Sequence, residues 1–188
     1  MVQAKRYMLD AEKCALVVID IQDKISAAIP PEILKDVMRN TNILIAAARE
    51  FGIPVLVVQQ YSRSLGPTRE EVQQVLGPYE PIEKMTFDCC AEPSFKKALE
   101  GTGASQVILT GIEAHICILQ TSLALLEGGY GVFIPADAVA SRAKHNWNRA
   151  LEAIRDAGGC IGSTEMYLFQ LLGVAGTERF RKLSPLVR

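Results

Sequence analysis

Short apolar, β-branched runs recur along this chain, each separated from the next by a longer stretch of helical period. Ala15 to Ile19 reads Ala-Leu-Val-Val-Ile without one polar residue, Ile53 to Val58 and Val132 to Ile134 are built alike, and Gln106 to Thr110 has an apolar Val-Ile-Leu centre. A strand with one wet face alternates polar and apolar residues, whereas a strand apolar almost throughout is covered on both faces. Pro81 to Lys84 reads as a short third strand and Cys160-Ile161 as a sixth. Between the strands, Ile33, Leu34, Val37, Ile43, Leu44 and Ala47 repeat at helical spacing from Pro31 to Phe51, and Gly52 stops that helix. Ile116 to Glu127, closed by Gly128-Gly129, and Asn146 to Asp156 read as further helices, with Ser163 or Thr164 capping a last one toward Leu172. The alternation predicts a three-layer α/β/α sandwich around a central, mainly parallel sheet of about six strands.

At 188 residues the chain suits one domain spanning 1–188, and no repeat, linker or low-complexity tract divides it. Lys plus Arg (20) nearly balances Asp plus Glu (21), so no excess field points to nucleic acid or to an anionic membrane. No apolar stretch approaches the roughly 20 residues of a membrane span. The first residues, MVQAKRYMLDAEK, place charges where a signal peptide carries its apolar region. Five cysteines, an odd and thinly spread number, argue against a disulfide scaffold and for a cytoplasmic protein with reduced thiols.

Ligands of parallel sheets bind beyond the carboxyl ends of the strands, so the residues just after each strand carry the chemical information. The first strand ends in Asp20-Ile21-Gln22-Asp23. Taken alone, Asp20 serves equally well as an active-site acid or as a helix cap, with Asp23 competing for the second role. The third strand leads into Glu83-Lys84-Met85-Thr86-Phe87, where a lone lysine is ordinarily a solvated charge. The fourth leads through Gly111-Ile112-Glu113-Ala114-His115 to Cys117, near the start of a helix. There the macrodipole and free N–H groups are expected to favour a thiolate and to hold an oxyanion. A buried cysteine acting as a small hydrophobe is the bland alternative. Together the three residues supply what a nucleophilic thiol needs: a base and a neighbouring cation.

This constellation resembles the isochorismatase-like cysteine hydrolases, a superfamily of Rossmann-like fold that includes nicotinamidases, N-carbamoylsarcosine amidases and isochorismatases. The similarity runs through Val17 to Gln22, Gly52 to Val55, Lys84 to Phe87, Gly111 to Cys117 and Asp137 to Arg142. Gln59-Gln60-Tyr61 followed by Leu65 to Thr68 looks most like the YcaC-like, isochorismatase-domain-containing branch, although Ser62 and Ser64 replace a Pro and a Gly of that branch. The resemblance implies Asp20 as base, Lys84 as electrostatic partner and Cys117 as nucleophile forming a thioester. It further implies a cis peptide at Ile112–Glu113 and an oxyanion hole from the backbone N–H groups of Glu113 and Cys117. Gln22, Tyr61, Phe87 and His115 become candidate walls of a small-molecule pocket, with a homo-oligomer as the expected assembly.

Nicotinamidases hold a metal through Asp and His residues after the second strand, but Gln59 to Thr68 contains neither, and His115 and His145 are the chain's only histidines. No metal and no cofactor are therefore expected. True isochorismatases lack the cysteine nucleophile, so Cys117 argues against that activity. The expected chemistry is hydrolysis of a small amide, ureido or related carbonyl compound. Two alternatives stand beside it: a binding or scaffolding protein that kept the fold, and a redox protein pairing Cys117 with Cys89 or Cys90.

Overall fold

The apolar runs form a fully parallel sheet whose two faces are covered by helices in the computed structural model, which describes residues 4–188. In chain order its main elements are β1 (Cys14–Ile19), α1 (Asp23–Ser26), α2 (Pro31–Phe51), β2 (Val55–Gln60), α3 (Ser62–Leu65), α4 (Glu70–Leu76) and β3 (Ile82–Lys84). After these come α5 (Pro93–Gly101), β4 (Gln106–Ile112), α6 (Leu119–Glu127), β5 (Gly131–Pro135), β6 (Val139–Ala140), α7 (Lys144–Asp156), β7 (Cys160–Gly162), α8 (Thr164–Leu172) and α9 (Glu178–Leu183).

Strand β1 shows why the sheet needs two covers. Leu16 and Val18 enter one core with Leu44 and Ile45 of α2, Val72 of α4 and Leu171 of α8. Ala15, Val17 and Ile19 enter the other with Phe95 of α5, Leu125 of α6 and Ile154 of α7. The alternation of side chains along a strand thus sends both sets into apolar layers. A satellite cluster of Ile43, Ala47, Leu168, Leu172 and Leu183 ties α2, α8 and α9 together.

The strand order is β3-β2-β1-β4-β5-β7, with β6 pairing beside the far end of β4. The chain therefore winds outward to one side from β1 and to the other from β4, and the β1/β4 boundary is the topological switch point. There Gly111 lies opposite Ile19 at φ +126°, and a Cβ on it would stand 1.9 Å from the Ile19 carbonyl oxygen. Only glycine fits that close approach.

Among the described residues the sheet has seven strands, in keeping with the about six expected. The additional one, β6, has two residues and borders β4 only at its Gly111-Ile112 end, too short to leave a periodic signal. Helices α4, α5 and α9 also form where no helix was read. At α2, by contrast, Gly52 adopts the left-handed conformation (φ 70°) and caps the helix after Phe51, as its type and position predict. Among the described residues, no helix is long and apolar enough to cross a membrane.

Candidate active site at the sheet's switch point

Asp20, Gln60, Lys84 and Cys117 lie at or just beyond the carboxyl ends of β1, β2, β3 and β4. Asp20 takes a left-handed backbone conformation, φ 55°, directly after Ile19. Its N–H still donates to the Val58 carbonyl, so the backbone leaves the strand while held to β2. Residues in that region persist where surrounding contacts hold them.

Lys84 Nζ donates to Asp20 Oδ2 at 2.8 Å, to Gln60 Oε1 at 2.5 Å and to Cys117 Sγ at 3.4 Å. The Lys84 and Asp20 side chains are both fully buried, and Cys117 is 6% exposed. An ammonium so far from water is tolerable only because its three donors meet three acceptors. Asp20 Oδ1 is buried without a hydrogen-bond partner.

The charges shape one another. Burial pushes the Asp20 carboxyl above its usual range, against the pull of the Lys84 ammonium. Burial works against the Lys84 charge as well, but the Asp20 carboxylate prevails and its pKa stands above the ordinary lysine value. Cys117 departs from the sequence expectation of a helix-activated, lowered thiol. Burial first and then the Asp20 carboxylate push it up to about 12, outweighing Lys84. Cys117 sits in a π-turn, Ala114–Ile118, and α6 begins only at Leu119. The helix read from Ile116 onward thus begins with this wider turn. The resting site is a thiol beside an ion pair.

The Ile112–Glu113 peptide is cis. The Glu113 carboxylate is nearly buried, accepting from the Arg142 backbone N–H at 2.9 Å and pairing with its guanidinium at 3.2 Å. His115 Nδ1 lies 2.9 Å from Ser141 Oγ, so the segment after β6 braces the nucleophile turn at two points.

The four residues expected to wall the pocket divide. Tyr61 and Phe87 are 45% and 54% exposed, and the Tyr61 N–H donates to the Lys84 carbonyl, which puts the start of its loop beside the lysine. His115 is turned to Ser141. Gln22 is fully buried, its amide bonded to the backbone of Gln60 and Gly66, which makes it a brace between loops. Asp23, the competing cap, is the first residue of α1 and has an exposed side chain. Gln60 and Arg142 join the site without having been among its expected residues. The polar pair Gln59-Gln60 ending an apolar strand was the signal for the first.

Cys89 is completely buried, with its N–H donating to Thr121 Oγ1, and Cys90 is half-buried. Cys14 and Cys160 lie in the core, as read. Among the described residues, no group of three or more His, Cys, Asp or Glu is placed to share a metal ion.

The family model described as the isochorismatase domain matches residues 14–166. A secreted isochorismatase effector of Phytophthora sojae (strain P6497) is 37% identical over 160 residues, covering 82% of this chain and 76% of the relative. Among solved structures, the MAR1 ribonuclease from Caenorhabditis elegans superposes with a TM-score of 0.88 at 32% identity, covering 96% of this chain and 92% of that one. The YcaC gene product from Escherichia coli, described as an octameric hydrolase of unknown specificity, shares the fold with a TM-score of 0.84 at 20% identity, over 96% and 87% of the two chains. With the family model spanning most of the chain and the switch-point site in place, this protein belongs to the isochorismatase family.

Proposed function

We propose that this protein is a metal-independent cysteine hydrolase that cleaves a small amide, ureido or related carbonyl compound through Asp20, Lys84 and Cys117. The observation that carries this reading is the buried Lys84 ammonium within hydrogen-bonding distance of both Asp20 Oδ2 and Cys117 Sγ.

In this reading the resting thiol gives its proton to Asp20 as Sγ attacks the carbonyl carbon. Burial acts on the two ends oppositely: a carboxylate raised by desolvation is a better base, while the buried thiol holds its proton more tightly, and the Lys84 ammonium beside sulfur offsets part of that cost. Lys84 stays protonated and faces the anion wherever it stands, on Asp20 before transfer and on sulfur during it. The carbonyl oxygen becomes an oxyanion met by the backbone N–H groups of Glu113 and Cys117. One such donor is typically worth about 2.7–4 kcal/mol of barrier. Collapse returns the proton from Asp20 to the leaving amine and leaves a thioester on Cys117. Water, deprotonated by Asp20, then releases the acid and restores the thiol. Every step uses groups of this chain.

The same reading keeps the protein in the cytoplasm, where its thiols remain reduced, and assembled with copies of itself. The octameric YcaC fold supports assembly, as do exposed Met166, Phe169 and Val174 along and after α8.

The test is a panel of small amides and ureido compounds, run beside an RNA substrate because three structural neighbours bear a ribonuclease name. Turnover of a carbonyl compound that disappears in Cys117→Ala is the expected result. Phosphodiester cleavage that needs Lys84 and Cys117, with no carbonyl compound turned over, contradicts the reading.

A further inference from the structure

Resting on the proposed triad, we infer that Gln60 is a positioning residue for Lys84, itself set by Gln22, so that the reactivity of Cys117 depends on a glutamine pair outside the triad. Lys84 Nζ has three N–H donors, and Gln60 Oε1 takes one of them at 2.5 Å. Gln60 Nε2 donates to the Met85 carbonyl at 2.9 Å. That second bond fixes which end of the amide faces the lysine, since a flipped amide would set NH2 against the ammonium and lose both bonds at once.

The backbone under Gln60 is held as firmly. Gln22 Oε1 accepts from the Gln60 N–H at 2.7 Å, while Gln22 Nε2 donates to the Gln60 carbonyl at 3.0 Å and to the Gly66 carbonyl at 2.6 Å. Gln22 stands two residues after Asp20, and its own N–H donates to the Asp20 carbonyl. One fully buried amide thus joins the end of β1, which leads to the base, to the end of β2, which aims the acceptor at the cation.

Charge explains why an amide suits the position. Asp20 and Lys84 cancel, so the pair is neutral before the proton leaves Cys117 and the site stays neutral after it passes to Asp20. A neutral third acceptor satisfies the ammonium without adding an anion that would oppose thiolate formation. An apolar residue there would leave one ammonium N–H unpaired in a buried site, free to turn away from sulfur.

The test is the rate of Cys117 alkylation by iodoacetamide at about pH 8, located by peptide mass spectrometry, in the parent protein, Gln60→Met, Lys84→Met and the double variant. Gln60→Met keeps length and approximate volume and removes both the acceptor facing Lys84 and the bond to the Met85 carbonyl that orients it. It is expected to slow alkylation about tenfold, as for a thiol raised by one pKa unit. Lys84→Met is expected to slow it further, and the double variant to match Lys84→Met alone, because Gln60 acts through Lys84. Should Gln60→Met not fold, Gln60→Asn withdraws the same oxygen by one methylene and carries the same expectation. A parental rate in the Gln60 variant, or additive effects in the double variant, overturns the positioning role alone. A parental rate in Lys84→Met overturns the triad reading with it.

Discussion

Lys84 donates to Asp20 Oδ2 across 2.8 Å with neither side chain exposed, linking the end of β3 to the end of β1 across the intervening β2. A buried ion pair adds little net stability over an apolar pair, but removing one partner leaves an uncompensated charge and typically costs about 3–5 kcal/mol. Lys84→Met is therefore expected to lower unfolding free energy by about that amount. Urea denaturation measures it. An unchanged midpoint would mean that Asp20 is not held as a buried carboxylate.

The thiols set the alkaline limit. Cys117 has a folded pKa of about 12 against an ordinary 9.0, Cys14 and Cys90 are raised to a similar value, and Cys89 is raised too. Between the two values the unfolded chain gives up thiol protons that the folded chain keeps, so stability falls as pH rises. Lys84, raised above 10.5, adds the same sign at higher pH. Stability is expected to decline from about pH 9 by on the order of 1 kcal/mol per pH unit for each such thiol. Cys117→Ala should decline less steeply than the parent, and denaturation at a series of pH values checks this.

The Glu113–Arg142 pair separates stability from activity. The arginine side chain is half-exposed, so the pair itself is worth at most about 1 kcal/mol. Its position bears on the turn that carries the proposed oxyanion donors. Arg142→Met is expected to shift the denaturation midpoint slightly and to lower kcat about tenfold or more, with KM little changed. Steady-state kinetics on whichever carbonyl compound is turned over decides it, and an unchanged kcat would remove Arg142 from the account.

Much of this arrangement is legible in the sequence because burial on both faces leaves a plain mark. Leu16, Val17 and Val18 alternate between two cores, and no polar residue could stand among them. Helix α2 was bounded correctly at both ends because Pro31 and Gly52 have backbone reasons to be there. The apolar run places β2 two residues early, at Ile53 to Val58 rather than Val55–Gln60. Its end pairs Gln59 with Glu83 and Gln60 with Lys84, so it stays extended after its apolar pattern stops. The polar residues that blurred this strand end are the ones that reach the site.

What the sequence hid depends on distance across the fold. Gln60 meets Lys84 only because β2 and β3 pair in this register, and Arg142 meets Glu113 because β6 runs beside the end of β4. The Cys117 expectation failed for an energetic reason. Local helix geometry suggested a lowered pKa, but burial beside a carboxylate is a tertiary effect and it dominates. Gln22 changed role likewise, since its polar end meets backbone atoms far along the chain.

In the proposed mechanism Cys117 carries the acyl group during turnover. Once a carbonyl substrate is found, acid quenching during the steady state followed by peptide mass spectrometry reads the covalent state directly. The acyl portion is expected on Cys117, with no such adduct in Cys117→Ala and no turnover by that variant. Turnover by Cys117→Ala at the parental rate, or an acyl adduct on another residue, contradicts it.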